Sequence, residues 1–259
     1  MVSGESQIVE LGFVLDENIP RVPGVPPLVV ATSTAHGDYE LDDGSSGCNE
    51  LLVLGTHMGT HVDGWAHVSA RGRIHGGQEA VSVQTRAGVS AYDMSTVPPI
   101  VAPGTLLDLA SFHGQDVIDR DAPVDLALLG QLEGRDLKGA VVLLRTGWGR
   151  LWREDPRRYE SLDEHRPGLD GPAAQWLADR GVIAVGTDSF SIEVYQPRAV
   201  ASPLMPAHVA LLVERGVFVF EALNLEDLAA TGATEFLFVA LPLRIAGATG
   251  SPVRPIAIA

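Results

Sequence analysis

The chain has 259 residues, enough for one large domain or two small ones around a buried core. Hydrophobic residues make up 46% and charged residues 20%, the balance of an ordinary globular protein. With 18 basic and 33 acidic residues the net charge is −15, which argues against nucleic acid and against an anionic membrane surface as partners, since both require basic patches.

One cysteine, Cys48, rules out an internal disulfide framework and a thiolate metal cluster, and it reads as a small buried residue rather than a nucleophile. The opening MVSGESQIVELGF has no basic region followed by an apolar core. No apolar run approaches the roughly 20 residues that span a bilayer. The expectation is a cytoplasmic protein.

In chain order, β-rich runs occur at QIVELGF (7–13), PLVVATS (27–33) and ELLVLGT (50–56), with a polar, Gly-rich surface loop over 35–50. GTLLDLA (104–110) is followed by a helical pattern over 123–134 and then the strand GAVVLLRTG (139–147). Residues 148–170 are polar and read as an exposed excursion, with Trp148 and Trp152 as packing or interface residues. A helix over Gly171–Arg180, with Pro172 in its first turn and Gly181 past its end, precedes GVIAVGTD (181–188). A helix over Pro206–Arg215, stopped by Gly216, precedes GVFVFEAL (216–223). A short helix over Leu225–Ala230 with Asn224 as N-cap precedes TEFLFVALPLRI (234–245). No linker or repeat divides the chain. Helix followed by buried strand, repeated, predicts a single α/β domain over 1–259 with a mixed sheet.

The stretch THMGTHVDGWAH (56–67) carries His57, His61, Asp63 and His67. Its glycines, threonines and valine disfavour a helix. All four polar residues fall on odd positions, which share one face of an extended chain with Gly59 and Trp65. Met58, Thr60, Val62, Gly64, Ala66 and Val68 form a small or apolar opposite face. A straight strand would leave residues 57 and 63 roughly 20 Å apart at about 3.3 Å per residue. The chain must therefore bend, and Gly59 and Gly64 are where it can. Imidazole and carboxylate donors together suit Zn²⁺ or Mn²⁺.

This stretch resembles the H-x-G-T-H-x-D-x-P-x-H signature of the cyclase family, which includes bacterial kynurenine formamidase, isatin hydrolase and certain polyketide ring cyclases. Six of seven fixed positions are present, and Trp65 stands where the family has Pro. VVLLRTGWG (141–149), GVIAVGTDSFSIE (181–193), PAHVALLVERGVFVFEALNLEDL (206–228) and ATGSPVRPIAIA (248–259) resemble later family segments. The resemblance implies a compact α/β domain with a barrel-like mixed sheet flanked by helices, assembled as a dimer or tetramer. It implies His57, His61 and Asp63 as metal ligands, His208 and Glu221 as ligands of a second ion, and His67 as general acid/base. One or two Mn²⁺ or Zn²⁺ ions are expected.

Glu221 ends the apolar run VFVF, where a carboxylate is costly to bury unless paired or metal-bound. Trp65 is expected to wall the substrate pocket, and Asp188 and Ser191, following a strand, to border it. His75 is close enough in sequence to reach the pocket mouth. The activity implied is hydrolysis of a small amide, imide or lactone. The alternatives are ring closure of a polyketide-type ketone at the same site, and a purely structural metal site.

Overall fold

The computed structural model describes residues 6–21, 25–118, 123–162, 165–195 and 205–259. Its strands are β1 (Ile8–Glu10), β2 (Val29–Thr34), β3 (Asn49–Val53), β4 (His61–Asp63), β5 (Gln84–Thr85), β6 (Gly88–Val89), β7 (Ile100–Asp108), β8 (Val141–Arg145), β9 (Ala184–Thr187), β10 (Phe218–Glu221), β11 (Glu235–Ala240), β12 (Gly250–Pro252) and β13 (Ile256–Ile258). Among the described residues, nine of them form one mixed sheet in the order β1-β13-β11-β7-β8-β9-β10-β4-β12, curled into a half-barrel. The centre, β7-β8-β9-β10, is parallel, and both flanks are antiparallel.

The central strands are apolar on both faces because both faces are covered. Val142, Leu144, Val185 and Val219 point to a core shared with the helix Gly171–Asp179 and with the helical segment from Pro206. Val141, Leu143, Phe218 and Phe220 point the other way, onto Phe236, Phe238 and Met94. Each such buried side chain contributes about 1.5–3 kcal/mol relative to exposure. Asp170 caps the first of these helices by accepting from the Ala173 N–H (2.8 Å), and Pro172 lies in the first turn. The second runs α-helical over Pro206–His208 and as a wider π-helix over Val209–Arg215, then stops at Gly216 in the left-handed region (φ 66°).

Several expectations are corrected. The pattern over 123–134 yields only Leu126–Leu129 and a 3₁₀ turn at Gly130–Leu132. Asn224 caps nothing: the helix Glu226–Ala230 has Leu225 at its N-cap, and the Asn224 amide reaches Asp227 instead. Within 148–170, Trp148, Leu151, Trp152 and Tyr159 are buried while the arginines between them face out. Residues 163 and 164 of that stretch lie outside the described residues. Cys48 is exposed, and its thiol donates to Glu50 Oε1 (2.9 Å), a contact that raises its pKa. Runs 27–33 and 50–56 do not join the main sheet. They pair with each other as a ribbon, β2 with β3, and expose Val29, Val30, Leu51, Leu52 and Val53.

Candidate metal centre

The 57–67 stretch keeps its two-residue period where it matters. Met58, Thr60, Val62, Gly64, Ala66 and Val68 are all buried, while His57, Trp65 and His67 are partly open. Only His61–Asp63 is strand. Gly59, at φ 63°, turns the chain between His57 and His61, and the His57 ring packs so closely on Gly250 that a Cβ there would collide with it. Strand β4 lies between β10 and β12. In that register Glu221 stands directly opposite His61, and Val219 opposite Asp63. His61, Asp63 and Glu221 therefore share the sheet face that packs on the 206–215 segment, which supplies His208.

Four side chains converge there. His61 Nε2 lies 3.4 Å from Asp63 Oδ1 and 3.5 Å from Glu221 Oε2. His208 Nε2 lies 3.4 Å from Asp63 Oδ2 and 3.3 Å from Glu221 Oε1. The distal nitrogens are committed elsewhere: His61 Nδ1 sits 2.8 Å from the Gly59 carbonyl, and His208 Nδ1 2.9 Å from Glu193 Oε1. Both partners only accept, so each Nδ1 carries the proton, and a neutral ring directs its Nε2 lone pair at the carboxylates. Nitrogens facing carboxylate oxygens need a positive charge between them, which a ring proton supplies in the metal-free protein and a metal ion supplies when bound. Two ligands of a tetrahedral ion bound at about 2.1 Å stand about 3.4 Å apart, the spacing of each imidazole–carboxylate approach here, with one oxygen of each carboxylate turned to His61 and the other to His208. Asp63 is fully buried and its Oδ2 takes no hydrogen bond. The donor set fits a divalent cation.

A second set shares Asp63. His57 Nδ1 donates to Asp63 Oδ1 (2.7 Å), and its Nε2 faces the Thr249 hydroxyl (3.0 Å). His67 Nε2 lies 3.9 Å from the same Oδ1, and the His57 and His67 rings stack 3.9 Å apart. The ligating atoms of His57, Asp63 and His67 all lie within 4.8 Å of one another.

The electrostatics follow from burial among opposite charges. Burial alone would raise the Asp63 carboxyl, yet His67, His208, His57 and His61 hold it well below the usual carboxylate range. Burial and Asp63 push Glu221 up, while His208 and His61 outweigh them and bring it to about 2. Burial would lower His61, but Asp63 and Glu221 raise it to about 10. His208 is raised well above its ordinary value against burial, by Asp63, Glu193 and Glu221. For His67, burial prevails over Asp63 and lowers it to about 4.

All five residues expected around the metal, and His67, thus meet in one place. Those expected at the substrate do not. Trp65 donates from Nε1 to the Gly216 carbonyl (2.8 Å) and stacks on Phe218, packed into the core beside His75 and Tyr92. His75 packs on Gly216 and the Val213 carbonyl rather than at a mouth. Asp188 is fully buried, accepting from the Thr146 N–H and hydroxyl and the Gly147 N–H, and burial raises it to about 6. It anchors the turn after β8. The Ser191 hydroxyl accepts from the Glu193 N–H (3.3 Å) within its own turn.

The walls near the cluster come from elsewhere. A cavity of about 40 Å³ beside His57 and His61 is lined by Met58, Trp152, Tyr159 and Phe190. A second, of about 200 Å³, lies against His67 with Ile74, Val83 and Val89. Sequence reasoning missed Glu193 and Thr249. Glu193 follows Ser189-Phe190-Ser191-Ile192, a run too polar to mark it as Glu221 is marked. Thr249 carried no signal.

The Cyclase family model matches residues 9–194. Kynurenine formamidase of Salinibacter ruber is 30% identical over 242 residues, covering 87% of this chain and 91% of that protein. Isatin hydrolase of Roseibium aggregatum is 27% identical over 266 residues, covering 100% and 94%. In fold, the crystal structure of a novel cyclase superposes with a TM-score of 0.84 at 23% identity, covering 100% of this chain and 88% of that one. Isatin hydrolase A from Labrenzia aggregata, bound to benzyl benzoate, superposes with a TM-score of 0.75 at 23% identity, covering 99% and 94%. Among the described residues, no helix is long and apolar enough to cross a membrane.

Proposed function

Since the chain belongs to the cyclase family, we propose that it is a metal-dependent hydrolase of a small amide, imide or lactone, cyclic or aryl-linked. The observation that carries this reading is the cluster of His61, Asp63 and Glu221, whose ligand atoms lie within 4.8 Å of one another, with His208 Nε2 at 3.4 Å from Asp63 Oδ2 and 3.3 Å from Glu221 Oε1 on the far side of the same two carboxylates. His57, beside Asp63, offers a donor for a second ion, and His67 stands next to it. The nitrogen and oxygen donors suit Zn²⁺ or Mn²⁺.

Such an ion, when bound, polarises a carbonyl and acidifies water. The chain's own groups supply the rest. His67, held neutral by burial, has a lone pair free to take a proton from the attacking water and return it to the leaving nitrogen or oxygen. Trp152, Tyr159 and Phe190 close the small cavity beside His57 and His61 with aromatic side chains and keep bulk water from that side of the cluster. The relatives named isatin hydrolase and kynurenine formamidase support the hydrolase reading.

The test is proton release by purified protein on isatin, N-formylkynurenine and simple lactones, with Zn²⁺ or Mn²⁺ and with chelator. Chelator-sensitive acid release on one of them is expected. Silence across the panel in metal-loaded protein would favour ring closure of a ketone substrate over hydrolysis.

We also propose that the protein is a homo-oligomer in the cytoplasm, assembled through the β2–β3 ribbon. A two-stranded ribbon exposed on both faces is marginal alone. A groove of about 810 Å³ beside it is walled by Phe13, Leu15, Leu52, Leu241, Leu243 and Val253. The groove's charges balance, Arg153 and Arg254 against Glu10 and Asp227 with Arg254 paired to Glu10, so a second copy complements the ribbon through its apolar side chains. Light scattering should give at least a dimer, and Val30→Asp with Leu52→Asp should give a monomer. A wild-type monomer would refute the assembly.

A further inference from the structure

We infer that Glu193 is a positioning residue that presents His208 to the metal through Nε2. The inference rests on the metal reading above. Glu193 is 5% exposed, and its carboxylate makes three contacts. Oε1 accepts from the His208 backbone N–H (2.7 Å) and faces His208 Nδ1 (2.9 Å), while Oε2 accepts from the Ala207 N–H (3.1 Å).

A carboxylate has no proton to give, so the His208 Nδ1 must donate. In the neutral ring that binds an ion, the lone pair is then on Nε2, the atom that lies 3.4 Å from Asp63 Oδ2 and 3.3 Å from Glu221 Oε1. The other neutral tautomer would set two lone pairs against each other at the Glu193 contact. The same oxygen that selects the tautomer also fixes the backbone of the residue bearing the ring, so rotation about the Cα–Cβ bond is constrained from both ends. Pro206 has no N–H and Met205 supplies no side-chain cap. The Ala207 and His208 N–H groups are therefore the first free donors of this helical segment, and Glu193 takes both from a neighbouring loop.

The preceding residue acts on the other ligand. The Ile192 N–H donates to Glu221 Oε1 (2.7 Å). Two consecutive residues of one loop thus hold two candidate ligands from two different elements. A carboxylate or carbonyl behind a ligating histidine is what orients the ring and raises its basicity.

The test is Zn²⁺ and Mn²⁺ titration of Glu193→Ala, Glu193→Gln and Glu193→Asp by calorimetry, with ¹⁵N NMR of the imidazoles and the His208 signals assigned by their loss in His208→Gln. Glu193→Ala should bind metal 10- to 100-fold more weakly and, in the metal-loaded protein, lose the single Nδ1–H tautomer. Glu193→Gln keeps an oxygen acceptor in place and should retain the tautomer and most of the affinity. Glu193→Asp keeps the charge but withdraws it from the ring, and should fall with the alanine variant. This arm decides the matter where the alanine variant does not fold.

A capping role alone predicts a lower melting temperature of metal-free Glu193→Ala with wild-type affinity and tautomer, and that result would overturn the inference. If the wild type binds metal tightly and the variants match it, this inference falls and the metal reading stands. If the wild type binds no metal, both fall.

Discussion

Asp63→Asn is expected to abolish metal binding and turnover together. The carboxylate is fully buried and belongs to both donor sets, with His61 and His208 at 3.4 Å, His57 at 2.7 Å and His67 at 3.9 Å. The amide is nearly isosteric, so the fold is not asked to repack, but it places an N–H₂ among imidazoles and removes the charge that compensates them. Loss of an outer hydrogen-bond partner costs about 10- to 100-fold in affinity, and loss of the shared ligand should exceed that. In the metal-free protein the substitution removes one of the two carboxylates that raise both His61 and His208 and leaves Glu221 to face them, so stability falls by less than the about 3–5 kcal/mol of a fully broken buried pair.

The sign with pH follows from the same groups. His61 is raised from 6.5 to about 10, so its contribution to metal-free stability is complete below pH 6.5 and is lost as pH rises through 10. A cation must displace that proton, so binding at pH 7 releases protons and wild-type affinity tightens from pH 6 to pH 8. Calorimetry in buffers of different ionisation enthalpy measures both. Wild-type affinity in Asp63→Asn would remove the site assignment.

His67→Ala is expected to separate chemistry from binding. His67 lies outside the quartet, so the ion held by His61, Asp63, His208 and Glu221 should remain. The proton path does not. Losing a positioned general base costs about 10²- to 10⁴-fold in kcat, with KM little changed. Metal content by elemental analysis alongside kcat decides the outcome. Loss of one of two bound ions would instead make His67 a ligand with His57. Full activity with full metal content would remove its role.

Much of the site was legible because its signals are local. A two-residue period separated Val62 and Met58 from His61 and Asp63, and Gly59 marked the bend. Glu221 was conspicuous as a carboxylate closing an apolar strand. The aromatic lining of the cavity beside the cluster was not legible. Trp65 has the parity of the ligand face, yet the chain turns after Asp63, and the ring leaves that face for Phe218. Trp152 was read as a packing residue, as it is, but Tyr159 lay hidden in a stretch whose arginines and acids dominate its composition, and neither was placed beside the cluster. The ribbon misled in the opposite sense. Apolar alternation reports a surface that needs cover and does not say whether this chain supplies it.

By itself, then, the sequence determined an α/β chain without repeats, the parity of the histidine stretch, the stop signals at Gly181 and Gly216, and the donor types that suit a divalent ion. These depend on neighbours within a few residues, where backbone geometry sets which side chains share a face. Only the tertiary structure decided that Glu221 stands opposite His61, that His208 arrives from a separate helical segment, and that Glu193 stands behind it. Strand register and helix docking are chosen by the packing of two cores across a whole sheet, and that packing brings together residues more than a hundred positions apart.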